Sequence, residues 1–541
     1  MHGFTGTWRL VRLALRRDRI KLPIIIAVLF FVFMSSVAQT ITVYGSSTEQ
    51  LVLYARTSAP SVVQRVFAGP LDGPNIGAIV LNETFLFLAL AIAFMSTLTV
   101  VRHTRQNEEF GRSELIESGV VSRHASLIAA LVVAVLANLV FAGLATLALL
   151  SNDLPTAGSA GTGLAFAATG ITFAAIAAVA AQLADSARGA NSFSAMAIGT
   201  AFLLRAVGDS LGSLKDGGLA IQSAFPTWLS PLGWAQLIHP YTQANWWIFG
   251  LFGTLFVITV GLSVAFMAKR DIGLGMIATR PGPARAARSL LSTFGLAIRL
   301  QRGILRGWIA TIVVLGVTYG LVVKEFQDLL AENEEFQQFI GQLGGDVNDA
   351  FLGILISFMA VTVAGYAAQS LLRMRSEEAN GQLESVLSGS VGRRQWMLSH
   401  IIYIAIGIVT LMLLTALSMG VTFVLASDAA WSKLGEIIIA SLVQSAAIFA
   451  FAGFAIAVFS FLPRMAVAVV WGGFAACLLV MQLGVLLELP QWIMDLSPFG
   501  HLPPMPASDF STAPVIGLMA AAIILTVLGL TYFNHRDITT T

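Results

Sequence analysis

Apolar runs recur along the whole chain. They cover roughly residues 22–43, 76–100, 124–150, 161–184, 190–207, 246–268, 308–324, 350–372, 395–425, 433–461, 465–487 and 512–533. A buried core helix of a soluble domain is the ordinary reading of one such run. Here most runs reach the ~20 residues a helix needs to cross a bilayer. The pattern predicts an all-α polytopic membrane protein with about twelve transmembrane helices. Composition agrees: 56% of the 541 residues are hydrophobic, 11% are charged, and mean hydropathy is +0.81.

The placement of charge orients the spans. With the N-terminus in the cytoplasm, 25 of the 31 Lys and Arg fall on the cytoplasmic side. The outer exceptions are Arg56, Arg65, Arg205, Lys215, Lys324 and Lys433. This distribution follows the positive-inside rule and puts both termini in the cytoplasm. Tryptophan agrees, since every one except Trp471 lies near a predicted span end, where its amphipathic ring prefers to sit. The high Arg, Ala, Gly and Val content fits a bacterial plasma-membrane protein.

Cys477 is the single cysteine, so no internal disulfide and no cysteine metal site is possible. Residues 1–38 superficially match a secretory signal, with Ser36-Val37-Ala38 at the cleavage position. The same basic stretch followed by a span recurs at 292–324, where no signal could be, so retention is expected.

The chain is a tandem repeat. Residues 105–123 align without gaps on 375–393, pairing Arg105 with Arg375, Glu108 with Glu378, Gly111 with Gly381, Glu114 with Glu384, Ser118 with Ser388, Gly119 with Gly389, Val121 with Val391 and Arg123 with Arg393. LSPLG at 229–233 echoes LSPFG at 496–500, and RDI at 270–272 echoes RDI at 536–538. The amphipathic stretch TWRLVRLALRR (7–17) resembles TFGLAIRLQRG (293–303). Four echoes in one order indicate duplication. The halves are 1–272 and 291–541, joined by a cytoplasmic linker, 273–290, carrying PGP at 281–283. An even number of spans per half gives parallel topology, with the halves related by an axis along the membrane normal. Each half opens with a basic amphipathic helix (4–20 and 290–306) on the inner surface, arginines toward headgroups.

The charged stretch EEFGRSELIESG (108–119) interrupts this apolar chain, and EANGQLESVLSG (378–389) repeats it. Residues 105–118 read as one short helix, ~21 Å long at ~1.5 Å per residue. Glu108 and Arg112 form an i,i+4 pair in the favourable order. Gly119 suits a left-handed C-cap, and Ser122 an N-cap for the next span, with Gly389 and Gly392 in those places in the second copy. A plain solvated loop would not need the same residues twice; docking of similar partners on the two halves would.

The pattern E-x-x-G-x-x-E-x-x-x-SG after the second span, LSPxGW before the last span and RDIG after it resembles the double-length permeases of ABC type-2 exporters. The closest group is the actinobacterial permeases for tetronasin-type or polyketide antibiotics, and the resemblance covers essentially the whole chain. It implies that Arg105–Ser118 and Arg375–Ser388 are coupling helices that dock on ATP-binding subunits. It implies cavity residues mainly from the second and fifth spans of each half. In the second copy Ala379 and Gln382 replace Glu109 and Arg112, so the two contacts should be unequal. No phosphate-cradling loop occurs, so ATP and magnesium belong to two copies of a separate ATPase, and this chain holds no cofactor and no catalytic or metal site. LSGS at 387–390 is a chance echo of the ATPase signature.

Asn82 and Glu83 lie in the outer half of the second span, where a carboxylate is costly: it could mark a substrate path or gate, or lie near enough to the surface to be hydrated. Arg205 is expected to snorkel, and Gln444 to bond between helices. The aromatic segment 225–247, with Pro231 and Trp234, reads as a re-entrant outer gate, an interfacial anchor, or both; Pro498 is its counterpart. His239 has no partner set for catalysis or metal binding. The acidic segment 325–349 reads as a solvated outer helix. No nucleic-acid signature is present.

The leading expectation is the permease of an ATP-driven exporter of hydrophobic or amphipathic compounds. An ion-gradient-driven twelve-span carrier would share the two-half plan. It would need buried charges at mid-membrane, and few are seen. A membrane sensor without transport would need a large outer domain, which the outer segments are too short to form.

Overall fold

The computed structural model describes residues 5–45, 47–271, 273–277, 282, 284–332, 347–427, 429–483 and 490–538. Most of the acidic segment 325–349, and Pro281 and Pro283 of the linker, lie outside these. The chain forms two compact units, Met1–Pro281 and Gly282–Thr541. Apart from one small hairpin the described elements are helical, and eleven are long and apolar enough to cross a membrane.

The first unit opens with α1 (Thr7–Arg17) and α2 (Lys21–Tyr44). Two short helices follow, α3 (Thr48–Ser58) and α4 (Val62–Phe67), then the second span α5 (Ile76–His103). The charged stretch forms α6 (Arg105–Glu109) and α7 (Arg112–Glu117). Spans α8 (Ala125–Leu150), α9 (Thr156–Leu183) and α10 (Ala187–Ser210) come next. A hairpin of β1 (Ser213–Lys215) and β2 (Ala220–Gln222), not foreseen from the sequence, precedes α11 (Pro231–Leu237) and the sixth span α12 (Ile248–Lys269). Side-chain caps mark several starts. Ser47 accepts from the Gln50 amide at 3.3 Å, Asn75 from Ala78 at 2.8 Å and Ser186 from Gly189 at 3.2 Å.

α9 is the centre of this unit and packs on α5, α8, α10, α11 and α12. Its sequence, TAGSAGTGLAFAATGITFAAIAAVAAQL, explains why. Water supplies no driving force between helices in lipid, so small residues that allow close backbone approach dominate such contacts. At Gly170 a Cβ would fall 1.8 Å from Asn138 Oδ1 and 2.7 Å from Ile92. The Asn138 amide in turn donates to Ser96 Oγ at 2.8 Å, joining α8 to α5. One turn away, Phe166 is enclosed by Phe33, Phe85 and Phe141 at centroid distances of 5.5, 4.6 and 5.5 Å.

The second unit repeats the plan with α13 (Thr293–Glu332), α14 (Val347–Ala379), α15 (Gln382–Leu387), α16 (Arg393–Ser427), α17 (Ser432–Phe461), α18 (Ala466–Leu483), α19 (Gln491–Met494) and α20 (Thr512–His535). Its fourth span α17 is again central, packing on α14, α16 and α20. Gln444 on α17 donates to Ser357 Oγ on α14 at 3.2 Å, the interhelical bond expected of it.

Of the run at 465–487, α18 covers Ala466–Leu483, and residues 484–487 lie outside the described residues. One sequence expectation changes here. The second amphipathic stretch is not a separate helix, because α13 continues for 40 residues from Thr293 through the span. The first is separate, because α1 stops at Asp18, whose buried carboxylate is held by Arg102 at 2.5 Å and His103 at 2.6 Å.

Replacing Gly170 by Val should force Asn138 and Ile92 aside at a cost of about 1–3 kcal/mol, the usual range for overpacking. Thermal unfolding of the purified protein in mild detergent should show a lowered midpoint; an unchanged midpoint would mean that α8 and α9 do not meet here.

Candidate functional site: the charged loop and its anchor

The loop after the second span is two short helices meeting at a turn. Gly111 adopts φ +67 and Gly381 φ +71, the left-handed region that favours glycine. The expected single helix over 105–118 is therefore corrected: α6 ends at Glu109 and α7 begins at Arg112. In the second unit α14 runs on to Ala379 before the same turn. The break takes Glu108 and Arg112 off a common helix, and the expected i,i+4 pair gives way to other partners. Gly119 is not in the left-handed region; Ser118, in ordinary helical conformation, ends α7. The N-cap of α8 is His124, not Ser122.

Glu108 finds its partners elsewhere. Arg105 donates to its Oε2 at 2.6 Å, and Arg270, of the RDI motif after α12, grips both oxygens at 2.6 and 2.8 Å. Arg105 also donates to the carbonyls of Gly273 and Leu274, at 3.0 and 3.1 Å. Arg123 donates to the Arg270 carbonyl at 2.6 Å, and Gln182 Oε1 accepts from Arg270 Nε at 2.7 Å. The first linker residues belong to this anchor, since the Met276 and Ile277 amides donate to Gln182 and Leu183 at the end of α9.

The second unit builds the same node. Arg536 grips both Glu378 oxygens at 2.6 and 2.9 Å, Arg375 stands 3.4 Å from Glu378, and Arg393 donates to the Arg536 carbonyl at 2.6 Å. Arg536 also lies 5.0 Å from the Phe533 ring and 5.2 Å from that of Phe459. Bidentate arginine–carboxylate pairs combine strength with fixed geometry. The repeated loop motif and the repeated exit motif are thus two halves of one contact. Their nearly equal offsets and opposite charges were the available signal.

This divides the residues singled out in the loop. Arg105, Arg375 and Glu378 are buried and Glu108 nearly so; they hold the loop. Glu114, Ser118 and Gly119, with Glu384, Ser388 and Gly389, are exposed. Around the first set stand Phe110, Leu115 and Val120, exposed by 60%, 79% and 88%. The second tip carries Asn380, Gln382 and Ser385 on its exposed surface. The two tips therefore share a frame and differ in surface chemistry.

At the other end of the first unit, Asn82 and Glu83 face α3 and α4. Tyr54 donates to Asn82 Oδ1 at 2.9 Å and also to Glu83. Gln64 donates to both at 3.2 and 3.4 Å, and the Asn82 amide reaches the Gly69 carbonyl at 3.0 Å. Burial, with the Glu83 carboxylate beside it, pushes the Tyr54 phenol well above its ordinary range. Glu83 is exposed on its other side and, with Asn82, ties α5 to α3 and α4. Arg205 does not snorkel. It is fully buried, stands 3.2 Å from Asp209 and donates to the carbonyls of Arg65 and Val66 at the end of α4.

The SPLG turn sits inside the unit. Ser230 Oγ accepts from the Gly233 amide at 3.3 Å and donates to the Ala201 carbonyl at 2.6 Å. Pro231 and Leu232 are buried, and Trp234 donates to the Trp228 carbonyl at 2.6 Å. Phe225, Trp246 and Trp247 remain exposed at its edge. The turn is thus packed inside the unit, with aromatic rings exposed at its edge. His239 stands 3.1 Å from Asp72, a partner not foreseen. Pro498 opens a 3-10 turn that buries Phe499.

A curated relative, "Multidrug efflux system permease protein Rv1217c" of Mycobacterium tuberculosis, is 35% identical over 543 residues, covering 99% of this chain and 96% of the relative. The chain belongs to this family of multidrug efflux permeases. The family described as "Multidrug efflux system permease Rv1217c, C-terminal domain" matches residues 290–534. In this permease that range covers most of the second unit, from α13 to one residue short of the end of α20.

Breaking the anchor should cost far more than altering the tip. Glu378→Gln and Arg536→Gln should each destabilise the permease by about 3–5 kcal/mol, the cost of orphaning a buried charge. The double variant should cost less than the two added together. Glu384→Gln, on the exposed tip, should stay within about 0.5 kcal/mol. Denaturant or thermal melts in detergent would compare them; additive losses would mean that Glu378 and Arg536 are not coupled.

Proposed function

We propose that this permease is the membrane-spanning part of an ATP-driven exporter of hydrophobic or amphipathic compounds. Energy comes from two copies of a separate ATP-binding subunit, which hold ATP and magnesium. The observation that carries this reading is the charged loop, present twice, rigidly anchored and with a bare tip. A loop meant only to connect two spans needs no buried ion pair beneath it. A loop that must receive force does, because a loose tip would absorb the motion.

On this reading α7 and α15 are the docking tips, and the termini and both tips lie in the cytoplasm of a bacterial plasma membrane. Closure of the ATPases pushes each tip. The Glu108–Arg270 and Glu378–Arg536 pairs pass the push to the ends of the second and sixth spans together. The relative's name, multidrug efflux permease, supports a lipophilic cargo class. The apolar tip of the first unit and the polar tip of the second favour unequal contacts with the two subunits.

The ion-driven alternative asks for buried carboxylates deep in the spans. The buried carboxylates among the described residues are Asp18, Asp209, Glu377 and Glu378. Asp209 and Glu377 close to helix ends, and Asp18 and Glu378 beside turns, are all paired with arginine. That placement favours anchoring over proton relay.

Purification of the tagged chain from its native membrane should bring down an ATP-binding subunit at two copies per permease. Phe110→Asp with Leu115→Asp should leave the permease folded and lower subunit recovery by roughly tenfold, since exposed apolar anchors dominate such contacts. Efflux by the purified permease without any ATPase would overturn the proposal and favour an ion-driven carrier.

A further inference from the structure

A cleft of about 320 Å³ opens where α1, the charged loop and the start of α8 diverge. Its floor is apolar, formed by Leu13, Ala14, Ile116, Ala129 and Ala130. Its rim carries two arginines from different elements, Arg17 of α1 and Arg112 of α7. Both are exposed. Arg17 donates to Asn107 Oδ1 at 2.7 Å, and Arg112 lies 5.2 Å from the Phe110 ring. Neither is in a described ion pair with a carboxylate. The adjacent acid, Asp18, is committed to Arg102 and His103, and Glu109 accepts from the Ala187 amide at 2.9 Å. Among the described side chains, positive charge is therefore in excess at this rim. Burial, then the nearby Arg112 and Arg102, holds the Arg17 guanidinium below its ordinary value, with Asp18 acting the other way.

Cations above an apolar floor fit an anionic amphiphile. The setting narrows the class: α1 also exposes Trp8 and Leu15, by 66% and 41%, beside two membrane spans. An interfacial helix of this kind meets lipid headgroups, and anionic leaflets attract such arginines. We infer that this cleft binds one anionic phospholipid, its phosphate between Arg17 and Arg112 and its glycerol and upper acyl carbons on the floor between α1 and α8. An acidic side chain of a protein partner would use the arginines and leave the floor without purpose. The lipid would tie α1 to the loop, next to the anchor but independent of any ATPase.

The second unit provides an internal contrast. The repeat alignment places Gly303 where Arg17 stands, Gln382 where Arg112 stands, and Leu383 where Ser113 stands. Both rim cations are gone, and Leu383 is buried at the position of a lining serine. One site per chain is therefore expected.

Native mass spectrometry of the full chain in detergent, titrated with phosphatidylglycerol or phosphatidylcholine of matched acyl chains, tests the site. Wild type should bind one phosphatidylglycerol in preference to phosphatidylcholine. Arg17→Gln with Arg112→Gln, both exposed, should bind it roughly tenfold more weakly. Ser126→Trp, which fills the cleft and leaves the arginines in place, should also lose it. Arg302→Gln in the second unit should bind as wild type does. Equal binding of the two lipids by wild type, or unchanged binding by the arginine and Trp variants, would overturn the inference. Displacement of phosphatidylglycerol by an equal amount of inorganic phosphate would assign the rim to a free anion instead. If the arginine variants bind lipid normally and lose a co-purifying ATP-binding subunit, the cleft is a protein-docking face.

Discussion

A bidentate glutamate–arginine pair is the contact on which the polar end of each unit depends. It joins residues 162 positions apart in the first unit and 158 in the second. A carboxylate in this place is costly unless fully paired, because water is largely excluded. Both glutamates are therefore surrounded: two guanidiniums hold the oxygens, and another arginine holds the backbone of the gripping one. The arrangement fixes where the second span ends and where the sixth must exit. It also fixes the direction of the tip, because the glycine turn follows within three residues of the glutamate in each copy.

The opposite end of the first unit uses the same chemistry differently. Arg205 is buried in order to satisfy the last carbonyls of α4, and Asp209, bonded also to Thr227 at 2.9 Å, balances its charge. Helix ends leave carbonyls without partners, and in an apolar setting a long cationic side chain can serve several at once. Arg65 does likewise, donating to Ala59 at 2.7 Å and Gly212 at 3.0 Å. The short helices α3 and α4 are thereby sewn to α10 and α5 by polar contacts, with Tyr54 and Asn82 on the other side.

Span number and type were legible because apolar run length is a direct physical requirement of the bilayer. Eleven runs return as long helices, and the described part of the twelfth, 465–487, is helical as far as Leu483. The duplication was legible as spacing. What the echoes meant was less so. Glu108 and Arg270 echo separately along the chain, and a one-dimensional reading paired Glu108 with Arg112, its near neighbour. Gly111 carried the contrary information, since a glycine repeated inside a presumed helix marks a turn. Arg205 misled for a related reason: snorkelling is the default for an arginine near a span end, and its alternative depends on carbonyls of a helix 140 residues earlier.

The two units then differ where a shared frame permits it. Substitution at Glu378 or Arg536 would orphan a buried charge, whereas substitution at an exposed tip costs little. Within the aligned loops the anchor residues are retained, as are exposed Glu114, Ser118 and Gly119, while other exposed tip positions differ. Phe110, Arg112 and Leu115 on one tip correspond to Asn380, Gln382 and Ser385 on the other. The loss of both Arg17 and Arg112 in the second unit belongs to the same pattern, since neither is part of the anchor. Two tips of unequal chemistry on equal anchors can move alike and still bind differently. On the proposed reading, that separation would let one half of the permease acquire a new contact without giving up the mechanics it shares with the other.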